Sequence, residues 1–214
     1  MTMPRVKVCG ITRTEDAVVA AELGASAIGF IFWPRSPRCV EPRIAREIVA
    51  ALPAHVVPIG VFVDQPPGDV HDIAKQVQLG AVQLHGHESV DYAVALMEPV
   101  IKAIAVTDTF DVSSLMAIPE TITVLLDAHD PVQRGGTGRT IDWTRAAAAA
   151  ATRPVILSGG LNPDNVNDAI RTVRPYGIDL SSGVEVSPGV KDHAKLRALF
   201  AALENGPAER AARI

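Results

Sequence analysis

The chain has 214 residues, 48% apolar and 21% charged, with a formal net charge of −4. That length suits one large domain or two small ones, and the charges are interspersed with no basic stripe, so nucleic acid and anionic membrane are not expected partners. Two cysteines, an N-terminus without a signal-like apolar run and the lack of a membrane-length apolar stretch lead to the expectation of a cytoplasmic protein with reduced thiols.

The first predicted element is a strand over residues 6–9, VKVC, which runs into Gly10 and a helix start where Thr12 and Glu15 read as a capping box. A second strand is expected over 27–32, followed by a helix that Pro42 opens and Ile44, Ile48 and Leu52 stripe. Strand 57–63 comes next, then a helix with Val70, Ile73, Ala74 and Val77 on one face. Strands over 81–85, 100–106 and 123–127 follow. The alanine-rich helix after them is anchored by Asp142 and Trp143. Strand 154–157, a helix with Pro163 at its first position and strand 178–181 complete the series.

Eight strands alternating with helical segments imply parallel strands joined by right-handed crossovers. An open doubly wound sheet could use the same elements, but eight evenly spaced units in so short a chain favour a closed, single-domain (β/α)8 barrel over residues 1–205, with a loosely held tail over 206–214. Closure would make the first and last strands neighbours. Period-2 alternation puts Lys7 on the face of Cys9, and Asp179 on that of Ser181, so Lys7 and Asp179 are expected to point inward and pair.

Active sites of such barrels lie at the C-terminal strand ends, where this chain places Cys9, Asp64, His85 and Asp127. The loops LSGGLNPDNV and LSSGVEVSPG follow strands 7 and 8. Small residues there let backbone N–H groups approach an anion, so Gly159, Gly160, Ser182 and Gly183 form a candidate phosphate site. A third glycine stretch, RGGTGRTIDW, lacks the Walker pattern and is either a plain loop or a closing one. Cys9 is either a buried hydrophobe or a base, because a thiol acts at neutral pH only where its thiolate is favoured. Asp127 ends an apolar strand, and a buried carboxylate is costly unless paired or used. His85 and His87 with Asp64 suggest a metal, but strands 2, 7 and 8 offer no further histidine, so no metal is expected; His85 is a ligand contact or a structural residue. Arg35 and Arg38 lie in a proline-rich loop from which one could grip a carboxylate, and Cys39 beside them is expected to be packing.

Taken together, VKVCGIT, GFIFWPRSPR, IGVFVD, VQLHG, VLLDA, GGTGRTIDW, ILSGGLNPDNV and IDLSSGVEVSPGVKD closely resemble, in order, the phosphoribosylanthranilate isomerase family of tryptophan biosynthesis. The resemblance implies a cytoplasmic, cofactor-free (β/α)8 TIM barrel, monomer or homodimer. Such a barrel converts N-(5-phosphoribosyl)anthranilate to 1-(2-carboxyphenylamino)-1-deoxyribulose 5-phosphate. It places the family's general base on Cys9, its general acid on Asp127, the anthranilate-carboxylate arginine on Arg38 and the phosphate loops on Gly159, Gly160, Ser182 and Gly183. One stretch departs from the family pattern: Ala128-His129-Asp130 follows the acid where many relatives have a small hydroxyl residue. Trp33 falls where an aromatic or small residue is usual and is expected to reshape the anthranilate pocket. The alternatives are another phosphosugar isomerase or epimerase barrel, or a catalytically silent barrel that binds a phosphate ligand. A ribulose-phosphate epimerase would need paired aspartates and a metal cluster, and the histidine-pathway isomerase an aspartate in place of Cys9.

Overall fold

The computed structural model describes residues 3–128 and 141–206. Eight parallel strands close into one barrel in sequence order: β1 (Arg5–Cys9), β2 (Ala27–Ile31), β3 (Val57–Phe62), β4 (Ala81–Leu84), β5 (Val100–Val106), β6 (Thr123–Ala128), β7 (Val155–Leu157) and β8 (Gly177–Leu180). Each strand predicted from the β-branched runs is present within about a residue or two of its expected ends. Both faces of the barrel wall are covered, which is why the runs are almost continuously apolar.

The wall has two inner environments. Ala27, Ile59, Ala81, Ile101 and Leu125 fill the barrel's interior as a separate small cluster. The alternate residues, such as Val6, Val8, Ile28, Phe30, Leu84 and Leu126, belong to the larger core between strands and helices. The helices among the described residues are α1 (Thr14–Glu22), α2 (Pro42–Ala50), α3 (Pro67–Val77), α4 (Val90–Ala95), α5 (Trp143–Ala150), α6 (Val166–Val173) and α7 (His193–Glu204). A short 3₁₀ segment, Val112–Ala117, serves between β5 and β6. No described helix is long and apolar enough to cross a membrane.

Closure brings Lys7 of β1 into register with Asp179 of β8. The expected pair is there: Lys7 Nζ donates to Asp179 Oδ1 at 2.9 Å, with both side chains buried. Asp142 caps α5 as read, its carboxylate accepting from the Thr144 and Arg145 amides, and Pro42 opens α2.

Three local expectations fail. Thr12 and Glu15 form no capping box: α1 starts at Thr14, and the Thr12 hydroxyl instead donates to the Gly189 carbonyl at 2.6 Å. Pro163 does not open α6. The Asn162 side chain accepts from the amides of Asp164 and Asn165, an Asx turn that delays the helix to Val166. Cys39 is exposed rather than packed, because its stretch touches β2 through a single backbone bridge at Ile31. Beyond β8 the chain makes a 3₁₀ turn, Ser182–Val184, and then an antiparallel hairpin, β9 (Glu185–Ser187) with β10 (Val190–Lys191), before α7. The GGTGR part of the third glycine stretch, His129 and Asp130, and the tail after Gly206 lie outside the described residues.

Candidate active site

Period-2 alternation decides which strand-end side chains look into the barrel mouth. On β1, Val6 and Val8 turn outward to the helices, so Lys7 and Cys9 turn inward. Cys9 is only 5% exposed. Gly29, opposite it on β2, makes room: a Cβ there would stand 2.7 Å from Cys9 Sγ and 3.1 Å from Lys7 Cε. Burial pushes the Cys9 thiol above its ordinary value. The Lys7 ammonium opposes that most strongly, Asp179 works against the lysine, and Lys191 adds a weaker downward pull.

Asp127 rises from β6, in register with Ala105, and is buried. Its Oδ2 lies 3.1 Å from His85 Nε2, while His85 Nδ1 is 2.9 Å from the Gln83 side-chain amide nitrogen. With that nitrogen donating, Nδ1 accepts and Nε2 carries the proton that His85 gives to Asp127. Asp127 Oδ1 is left facing the turn after β7, where a Cβ on Gly159 would come within 3.2 Å of it and 2.8 Å of the Ala128 amide nitrogen. Gly159 adopts φ +90° and Gly160 φ +65°, conformations that glycine takes without strain.

The turns after β7 and β8 interlock. A Cβ on Gly183 would stand 1.9 Å from the Leu161 carbonyl oxygen, so only glycine allows this approach. Gly160 is fixed from the other side, its carbonyl accepting from Asn165 Nδ2 at 2.9 Å. Among the described residues the Gly160 and Gly183 amides have no recorded protein acceptor. Two adjoining donors of this kind are what an anion requires.

Arg38 folds back over the mouth, its Cδ 2.7 Å from where a Cβ on Gly10 would be. Its guanidinium grips Glu185 of β9, with Nε 3.0 and 3.1 Å from the two carboxylate oxygens and Nη2 2.7 Å from Oε2. Glu185 also accepts from Lys191 Nζ at 2.7 Å, and Lys191 in turn holds the Cys9 carbonyl at 2.6 Å. Burial alone would raise the Glu185 carboxyl, but Arg38 and Lys191 outweigh it and hold it below the usual carboxylate range. Arg38 is therefore a braced arginine, with Nη1 uncommitted among the described residues.

The structure thus gathers Cys9, Asp127, His85, Arg38 and the glycine turns at the C-terminal barrel end. Asp64 is exposed and engages the β4 end through the His87 amide, and Trp33 is half-buried with Arg35 over its ring at 5.5 Å. Glu185, Lys191 and Gln83 were not read from the sequence as site residues. Only Gln83 had a signal, its place two residues before His85 on the inward face of β4.

A buried thiol and a buried carboxylate facing one barrel mouth, beside amide donors suited to an anion, are the arrangement of a (β/α)8-barrel enzyme with an acid–base pair. The family model for N-(5'phosphoribosyl)anthranilate (PRA) isomerase matches residues 6–202. The chain is 50% identical to the N-(5'-phosphoribosyl)anthranilate isomerase of Geobacter sulfurreducens over 197 residues, 91% of this chain and 96% of the relative. Among solved structures, phosphoribosyl anthranilate isomerase from Thermus thermophilus superposes with a TM-score of 0.87 at 43% identity, covering 94% of this chain and 98% of that one. A phosphoribosyl anthranilate isomerase in complex with reduced 1-(o-carboxyphenylamino)-1-deoxyribulose 5-phosphate gives a TM-score of 0.84 at 40% identity, covering 95% of this chain and all of the other. The chain belongs to the phosphoribosylanthranilate isomerase family.

Proposed function

We propose that the protein isomerises N-(5-phosphoribosyl)anthranilate to 1-(2-carboxyphenylamino)-1-deoxyribulose 5-phosphate, an Amadori rearrangement of tryptophan biosynthesis, with Cys9 as base and Asp127 as acid. The observation that carries this reading is the pair of buried ionisable groups on β1 and β6 at one barrel mouth, in a chain of this family. The substrate has an anion at each end, and the mouth offers a donor set for each: the Gly160 and Gly183 amides for phosphate, and Arg38 for the anthranilate carboxylate. Gly159 and Ser182 shape the phosphate turns.

The chemistry follows from those positions. Asp127, receiving the His85 hydrogen bond on Oδ2, donates a proton from Oδ1 to the ribose ring oxygen. The C1–O bond breaks as the anilino nitrogen pushes its lone pair into a C1–N double bond. The positively charged nitrogen then acidifies the C2 proton, which the Cys9 thiolate removes. The C2–H electrons form a C1–C2 double bond and neutralise nitrogen. Proton gain at C1 and loss from the C2 hydroxyl complete the ketone. His85 contributes as the group that orients Asp127.

The test is the loss of substrate fluorescence when purified protein meets phosphoribosylanthranilate, in the presence and absence of EDTA. Turnover insensitive to chelation supports the reading. Binding of a product analogue without turnover would point instead to a silent phosphate-ligand barrel.

A further inference from the structure

Inside the barrel, Lys7 has donors to spare once it has paired with Asp179. An ammonium carries three N–H donors. Lys7 is 3% exposed; it donates to Asp179 Oδ1 at 2.9 Å, and the Cys9 side chain is its other hydrogen-bond partner. Its Cε and the Cys9 sulfur both border the same empty point, the Cβ position that Gly29 lacks. A side chain on β2 would separate them; glycine leaves the ammonium end and the sulfur next to each other.

The other charges around Cys9 are committed. Lys191, on β10, spends its donors on the Cys9 carbonyl at 2.6 Å, Glu185 at 2.7 Å and the Ser181 carbonyl at 3.3 Å. Arg38, over Gly10, is held by Glu185. Asp179, on β8, repels a thiolate while it fixes the lysine. We propose that Lys7 is a positioning residue of the reaction: anchored by Asp179, its ammonium is the counter-ion of the Cys9 thiolate. This rests on the reading of Cys9 as the base. It explains how a thiol in a nearly closed site can ionise at all, since an isolated buried anion would be strongly disfavoured. Lys7 itself stays charged: burial would lower it, but Asp179 and Cys9 together raise it above the ordinary lysine value.

The experiment titrates Cys9 by ultraviolet thiolate absorbance in a Cys39→Ser background, which removes the exposed thiol, with Cys9→Ser as the blank. Two variants are compared with that background. One is Lys7→Met. The other is the double variant Lys7→Met with Asp179→Leu, which removes both charges and so leaves no buried carboxylate unpaired. The thiol midpoint is expected to rise in both, and further in Lys7→Met, because the lysine acts on Cys9 more strongly than the aspartate that opposes it. The alkaline-rising limb of the kcat profile should move by the same interval, lowering turnover at neutral pH by roughly three- to tenfold per unit. If the midpoint of the folded double variant stays in place, Lys7 is a structural residue and the proposal falls. If the midpoint rises while the kcat profile does not follow, Lys7 is the counter-ion but Cys9 is not the base.

Discussion

Glu185→Gln is the perturbation with the most to lose. The residue is 6% exposed and takes two charges at once, Arg38 through three contacts of 2.7 to 3.1 Å and Lys191 at 2.7 Å, with a longer bond from the Gly189 amide at 3.3 Å. Glutamine keeps the shape but supplies one neutral oxygen acceptor for two buried cations. Removing one partner of a buried pair costs about 3 to 5 kcal/mol, mainly through the charge left behind. At roughly 2 to 4 °C per kcal/mol for a domain of this size, the midpoint of thermal unfolding should fall by roughly 6 to 20 °C. A second effect is functional: Arg38 loses its brace, so KM should rise by about tenfold while kcat changes less. Calorimetry and steady-state kinetics on the same preparation read both. A variant within about 1 kcal/mol of wild type, with KM unchanged, would show that the barrel wall alone places Arg38 and that the ion network is idle.

Gly183→Ala should damage the interlocked turns, since its Cβ would meet the Leu161 carbonyl oxygen at 1.9 Å. Inorganic phosphate should then inhibit at least about tenfold more weakly, read as a competitive inhibition constant, with the thiol chemistry of Cys9 unaltered. Asp16 is fully buried; burial raises its carboxyl, but hydrogen bonds from Arg13, the Lys191 amide and His193 outweigh that and hold it low. A depressed folded value stabilises above the unfolded carboxylate range and is lost as pH falls through the folded value. The thermal-midpoint gap between wild type and Asp16→Asn should therefore be widest near neutrality and close below about pH 4.

What could be read from the sequence divides along physical lines. Strands such as VKVC and TVLLD declare themselves through local composition, and their order implies closure. Closure plus period-2 alternation was enough to pair Lys7 with Asp179 across 172 residues. The Arg38–Glu185 pair spans 147 residues with no such rule behind it. Glu185 sits in a hairpin outside the barrel periodicity, so nothing local marks it as the brace of an arginine. Thr12 shows the converse failure. Its spacing to Glu15 fits a capping box, yet the Gly189 carbonyl, far away in sequence, is the partner it takes. Asn162 did the same to Pro163 at short range, through an Asx turn. The roles of Cys9 and Asp127 came from the resemblance, whereas their burial and their neighbours came from the fold.

The most direct measurement of the central claim is kcat for folded Cys9→Ser beside its affinity for a product analogue. Serine keeps nearly the same volume, but its hydroxyl is far too weak an acid to supply an anion at neutral pH, whereas a thiol ionises near 8.5 when unperturbed. General base catalysis is worth about 10² to 10⁴ in rate. The account predicts a loss of kcat of that size with analogue binding changed by no more than a few-fold. Turnover within a few-fold of wild type would contradict it and leave Cys9 a packing residue.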